Sequence, residues 1–198
     1  MMEKETKLNN VLIFLISLIS VCYAVKDINN GAYDRLIGSL SIILVLFIPR
    51  ILNKIFKIKI GNYLELIYII FIFLAQFLGS VVNLYNTIWW YDLFVHFLSG
   101  VFTGIVSLYV LKWFGKYYEK NKWFNSLFVI SFSLMIASLW EFGEFSAYNL
   151  FNMDVQHHLT TGVFDTMQDM LVAFFGSIIV AVYNLIKYNT LKKIVNKC

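Results

Sequence analysis

Three pairs of polar residues, each set in an apolar stretch, have the types and spacings from which a metal site can be built. Within each pair the residues are three or four positions apart, so both side chains lie on one face of a helix. Carboxylate oxygens suit hard or borderline divalent cations such as Mg, Mn, Ca or Fe(II), and an imidazole adds Zn. Facing helices in bundles build carboxylate metal centres from such pairs. We therefore predict a divalent metal site, and no organic cofactor, at Asp92 and His96, Glu141 and Glu144, and Asp165 and Asp169.

The glutamate pair is the one that a purely structural role explains least. Glu141 and Glu144 lie toward the negative, C-terminal end of their predicted helix and repel each other. A charge at the centre of a transmembrane helix costs about 3 kcal/mol on insertion scales. A bound cation, a proton shared between carboxyls or a water-filled cavity open to the outside would offset that cost. Asp92 and Asp165, in contrast, each begin a predicted helix, where a carboxylate also caps free N–H groups.

The composition places these pairs in a membrane protein. Of the 198 residues, 60% are hydrophobic and 14% are charged, and the mean hydropathy is +0.71. These values exclude a water-soluble fold and predict one all-α integral membrane domain over residues 1–198. The predicted transmembrane helices cover residues 8–25, 35–52, 63–85, 92–113, 124–148 and 165–188. The second is the weakest, because its apolar stretch is short and ends at Pro49, so a re-entrant or strongly tilted segment is the alternative.

The basic residues give these helices a direction. With six crossings, 14 of the 16 Lys and Arg residues fall on one side of the membrane, and only Lys26 and Arg35 fall on the other. By the positive-inside rule both termini are then cytoplasmic. Eight of the twelve acids and all three histidines lie at or near the outer side. The predicted metal site is therefore outward-facing, and His157 and His158 in the last outer loop are candidate additional ligands.

Other features of the sequence are interpreted structurally. Gly100 and Gly104 are spaced to let a neighbouring helix approach closely. Glu65 is interpreted as a cap at the start of the third helix. Residues 50–60 alternate basic and apolar types, which is typical of a basic loop, although the segment could also lie on the anionic inner leaflet. The net charge of +4 is an orientation signal, so the lipid bilayer is the expected partner, nucleic acid is not, and no protein partner is indicated.

These features leave several functions open. A metal-dependent membrane enzyme could activate water to hydrolyse lipid-like substrates, but Ser99 and Ser138 lie in no nucleophile motif and no basic residue offers a phosphate clamp on the outer side. A cation- or proton-coupled transporter of small solutes is the alternative, although the inner halves of the helices carry almost no ionisable groups and no inverted repeat is visible. A non-catalytic accessory membrane protein is the third hypothesis.

Residues 90–96, 140–144 and 164–170 resemble the motifs of the YjdF-like family of bacterial inner-membrane proteins. Those motifs read roughly Asp-x-x-x-His, Trp-Glu-x-x-Glu and Asp-Thr-x-x-Asp, and all three occur here. The resemblance implies a multi-pass protein of the bacterial plasma membrane. It marks the same six residues as the charge pattern and implies no particular activity. His157 and His158 are not part of the family pattern.

Overall fold

The computed structural model describes residues 2–31, 33–118, 121–152 and 158–186, and these ranges contain helices and no strand. The all-α prediction is therefore confirmed. The chain divides into two compact units, which meet between Tyr91 and Asp92.

The first unit begins with a long helix and ends with a short one. Its elements are α1 (Met2–Asn29), α2 (Tyr33–Leu46), α3 (Ile48–Phe56), α4 (Asn62–Ile72), the π-helix π1 (Phe73–Val81) and α5 (Leu84–Thr87). α1 packs against α2 and α4. The core between these helices is apolar, with Ile13, Ile42, Leu46 and Phe77 among its buried members.

The described part of the second unit contains three long helices and one short one. They are α6 (Tyr91–Trp113), α7 (Lys122–Phe151), α8 (His158–Thr161) and α9 (Phe164–Ile186). α7 packs along α9. Leu108, Val129, Val180 and Ala181 form the apolar core of this unit.

Within the described residues, five helical segments are long and apolar enough to cross a membrane: Thr6–Asn29, Asn62–Val81, Tyr91–Trp113, Lys122–Phe151 and Phe164–Ile186. They confirm five of the predicted spans, and the third ends at Val81 rather than at residue 85. The weak second span is a pair of helices, Gly38–Leu46 and Ile48–Phe56, with a bend of 42° between them. Pro49 explains the break, because proline lacks an N–H to donate and is accommodated in the first turn of a new helix. The fold is thus that of an α-helical multi-pass membrane protein. Its described part has five candidate spans, or six if the bent pair crosses, and its orientation stays a prediction.

A partly buried charge cluster joins three helices of the first unit. Arg50 on α3 donates from Nε to Glu65 Oε1 on α4 at 2.6 Å, and Asn9 on α1 donates to Glu65 Oε2 at 2.7 Å. Glu65 is 7% exposed. Its carboxylate thus holds α1, α3 and α4 together, a role that its interpretation as a helix cap did not include.

Glu65→Gln is expected to lower the free energy of unfolding by about 2 kcal/mol, because it leaves Arg50 without its anionic partner. The expected loss is below that of a fully buried pair, since the Arg50 side chain is 34% exposed and water screens it. Thermal unfolding in detergent of Glu65→Gln, Arg50→Gln and the double variant measures this. The double variant should lose little more than either single one, and strictly additive losses would argue against the pair.

Candidate metal centre

The contact between α6 and α9 determines the geometry of the site. A Cβ atom on Gly100 would collide with the carbonyl oxygen of Ala173, and one on Gly176 would collide with that of Phe97. The two backbones therefore touch, as the Gly100 and Gly104 spacing predicted. Gly104 packs against Val180, further along both helices, so α6 and α9 run parallel. The contact between Gly100 and Ala173 brings His96 and Asp169 opposite each other, because each of them lies one helical turn earlier in its helix.

α7 runs antiparallel to α6. Ser133 donates to the carbonyl oxygen of Gly100 at 3.5 Å, and Val129 packs against Gly104, four residues further along α6. Toward the start of α6, the same register places Ala137 level with His96, and Glu141 level with Asp92.

α9 has the same antiparallel register with α7. Ser126 donates to the carbonyl oxygen of Ala181 at 3.0 Å, and Asn184 donates to Ser126 Oγ at 2.9 Å. Counted back along α9 from the contact between Ser126 and Ala181, Asp165 lies within one residue of the level of Glu141. Packing in the core of this unit thus brings acids from three helices to one depth.

Asp92, His96 and Asp169 form the centre of the cluster. His96 Nε2 lies 3.5 Å from Asp92 Oδ1 and 3.8 Å from Asp169 Oδ2. One potential ligand atom from each residue lies within 4.8 Å of the other two. The exposed fraction of the side chain falls from 31% for Asp92 to 12% for His96 and 3% for Asp169. Asp169 Oδ1 is buried without a hydrogen-bond partner.

Glu141, Glu144 and Asp165 flank this centre. Glu141 is 4% exposed, and Glu144 accepts a hydrogen bond of 2.8 Å from Trp140 Nε1. The helix register places Glu141 and Asp165 close to the level of Asp92, and Glu144 lies about one turn further along α7. The structure therefore places the six predicted residues at one end of these helices. Within the described residues, the central three are the only group of three or more whose potential ligand atoms all lie within 4.8 Å of one another.

The sequence also raised His157, His158, Ser99 and Ser138 as candidates. His157 is outside the described residues, and His158 begins α8. Ser99 and Ser138 donate to carbonyl oxygens of their own helices, those of His96 at 2.7 Å and Leu134 at 2.9 Å. These contacts agree with the absence of a nucleophile motif.

The charge pattern did not single out Trp140 as part of the site. Its indole occupies the position four residues before Glu144, and that spacing is the signal that could have paired them. The sequence analysis also missed two small residues next to the site. Ala137 lies level with His96, and Ala173 lies one helical turn after Asp169. No sequence pattern distinguishes them from other helix alanines.

The helices and their apolar surfaces define a multi-pass α-helical membrane protein. Residues 8–189 match the family model described as Predicted membrane protein (DUF2238), and the chain belongs to this family. The resemblance to YjdF-like proteins is consistent with that membership. No curated protein and no solved structure matches the chain.

Proposed function

We propose that Asp92, His96 and Asp169 bind a divalent cation, and that the protein is a metal-dependent enzyme of the bacterial plasma membrane acting on lipid-like substrates. The observation that carries the metal site is the spacing of the three potential ligand atoms. The separations of 3.5 and 3.8 Å from His96 Nε2 are longer than hydrogen bonds, which are about 2.7–3.2 Å. They suit atoms that each lie about 2.0–2.6 Å from one shared ion.

The burial of Asp169 supports the same proposal. A carboxylate that is 3% exposed, with one oxygen lacking a hydrogen-bond partner, carries a large desolvation cost unless a cation or proton compensates it. The Asp92 carboxylate, with an oxygen within 4.8 Å of an Asp169 oxygen, increases this cost because like charges repel. A divalent cation would offset both the desolvation cost and the repulsion between the carboxylates.

Enzymatic use is supported by what surrounds the three central residues. Three protein ligands leave coordination positions for water or substrate, and the chemistry that the cation supplies is activation of water for hydrolysis. Glu141, at the level of Asp92, is our candidate for the general base that accepts the proton of that water. Trp140, Phe142 and Phe145 are at least 60% exposed beside the two glutamates, so apolar surface suited to acyl chains borders the site.

Transport is supported less well. Immediately beyond the site, the backbones of α6 and α9 touch at Gly100 and Ala173, which leaves no room for a passage between these helices. The apolar core of the unit follows, around Leu108 and Val129. A transport path would have to avoid this interface entirely.

Glu141→Gln separates binding from turnover. We expect the variant to keep its bound cation and to lose hydrolysis by about 100-fold or more, the contribution of a general base. The assay measures release of headgroups and acyl chains from a panel of bilayer lipids by the reconstituted protein, with added Mn²⁺ and with chelator. Asp27→Asn removes a buried carboxylate of the first unit, which accepts a hydrogen bond from Ser39, and serves as the control with full activity. Metal binding without turnover on any lipid would contradict the enzyme and favour transport or an accessory role.

A further inference from the structure

The α3 helix presents its apolar side away from the protein. Ile48, Ile51, Ile55 and Phe56 recur at helical spacing on one face, and each is at least 40% exposed. The most exposed is Ile55, at 64%. An exposed apolar face of this kind marks contact with a membrane or with another protein, and in a membrane protein the lipid bilayer supplies such a contact.

The opposite, polar face of α3 is fixed to the protein. Arg50 donates to Glu65 at 2.6 Å and to Asn10 Oδ1 at 2.7 Å. Asn53 accepts a hydrogen bond of 2.7 Å from the backbone N–H of Ile60, which folds the following segment back along the helix. These hydrogen bonds hold α3 in one orientation about its own axis. Because α3 extends to Phe56, the interpretation of residues 50–60 as a loop is wrong for residues 50–56.

Two lysines lie at the end of this helix. Lys54 and Lys57 are exposed, and Lys57 ends α3 in the left-handed conformation, with φ 54°. Arg50 is already paired with Glu65, so these lysines carry the positive charge that α3 offers to other molecules.

We propose that α3 lies in the membrane–water interface and binds anionic phospholipid headgroups through Lys54 and Lys57. An interfacial helix buries its apolar face at the boundary of the acyl chains while its basic side chains reach the headgroups. The 42° bend after α2 redirects the chain at this point. The anchoring of Arg50 on Glu65 turns Ile51 and Ile55 toward lipid.

Spin labels at adjacent positions test the depth of α3. Lys54→Cys and Ile55→Cys are labelled in a Cys22→Ser/Cys198→Ser background and reconstituted in vesicles of phosphatidylglycerol and phosphatidylcholine. The label at residue 55 should collide mainly with oxygen, which partitions into lipid, and the label at residue 54 mainly with a water-soluble nickel complex. Preference for nickel at both positions would indicate a solvated loop, and preference for oxygen at both would indicate a span; either overturns the proposal.

Lys54→Gln/Lys57→Gln tests the headgroup contact. Basic residues at an anionic surface each contribute severalfold in affinity, so the double variant should bind phosphatidylglycerol roughly 10- to 30-fold more weakly. The readout is thermal stabilisation of the full chain in detergent by titrated phosphatidylglycerol, with phosphatidylcholine as the zwitterionic comparison. Lys112→Gln/Lys116→Gln, at the end of α6, is the matched control and should retain the stabilisation. An unchanged affinity, or an equal loss in the control, would overturn the proposal.

Discussion

Gly100→Ala is expected to lower the free energy of unfolding by about 3 kcal/mol, at the upper end of overpacking substitutions. The new methyl group would meet the backbone carbonyl of Ala173, which cannot rotate away as a side chain can. α6 and α9 must therefore separate. Because this contact sets His96 opposite Asp169, the affinity for Mn²⁺ should fall as well. Unfolding in mixed detergent micelles and Mn²⁺ titration measure the two effects.

Gly143→Ala is the control for this prediction. Gly143 lies within α7, and a Cβ atom there meets nothing within 4 Å. Alanine favours the helix over glycine by about 1 kcal/mol, so this variant should be as stable as the natural protein or slightly more stable. Equal destabilisation by both substitutions would show that the backbone contact between α6 and α9 is not decisive.

Asp169→Asn is expected to change stability in opposite directions with and without metal. The substitution removes a buried carboxylate whose Oδ1 has no hydrogen-bond partner, so the metal-free protein should become as stable as the natural one or more stable. It also removes an anionic ligand. Loss of even an outer-shell partner costs about 10–100-fold in metal affinity, so we expect a loss of about 100-fold or more here.

Melting temperatures measured with chelator test the expected stability of the metal-free protein. Melting temperatures measured at a Mn²⁺ concentration that just saturates the natural protein test the loss of metal affinity. The natural protein should be stabilised by Mn²⁺, and Asp169→Asn should not. Asp27→Asn is the control, because Asp27 is also buried but accepts a hydrogen bond of 3.1 Å from Ser39; it should retain the Mn²⁺ effect. A stabilisation of Asp169→Asn equal to that of the natural protein would exclude Asp169 as a ligand.

The helices of this fold were predictable because each is a long apolar run, and the membrane requires all backbone groups to be satisfied within the segment. The bend after α2 was indicated by Pro49, but its angle depends on packing. The π-helix had no local signal. Its Leu74 carbonyl accepts a hydrogen bond of 2.8 Å from Tyr91, a contact across 17 residues that local periodicity does not contain.

For the site as well, features within one helix were predictable from the sequence, and features that depend on packing between helices were not. The spacing of Asp92 and His96, or of Asp165 and Asp169, determines which side chains share a face of one helix. The division into three central residues and three flanking ones depends on the register between helices, and contacts remote from the acids, at Gly100, Ser126 and Ser133, fix that register. Likewise, Glu65 was interpreted as a helix cap, because its partner Arg50 lies on another helix.

Pulsed electron paramagnetic resonance of bound Mn²⁺ tests the proposed centre most directly. After dialysis to stoichiometric Mn²⁺, the natural protein should show modulation from a coordinated imidazole nitrogen, because His96 Nε2 lies 3.5 Å from Asp92 Oδ1 and 3.8 Å from Asp169 Oδ2. His96→Ala should lose that modulation, whereas Asp27→Asn should retain it. Failure to bind Mn²⁺, or bound Mn²⁺ without nitrogen modulation in the natural protein, would contradict a metal centre at these three residues.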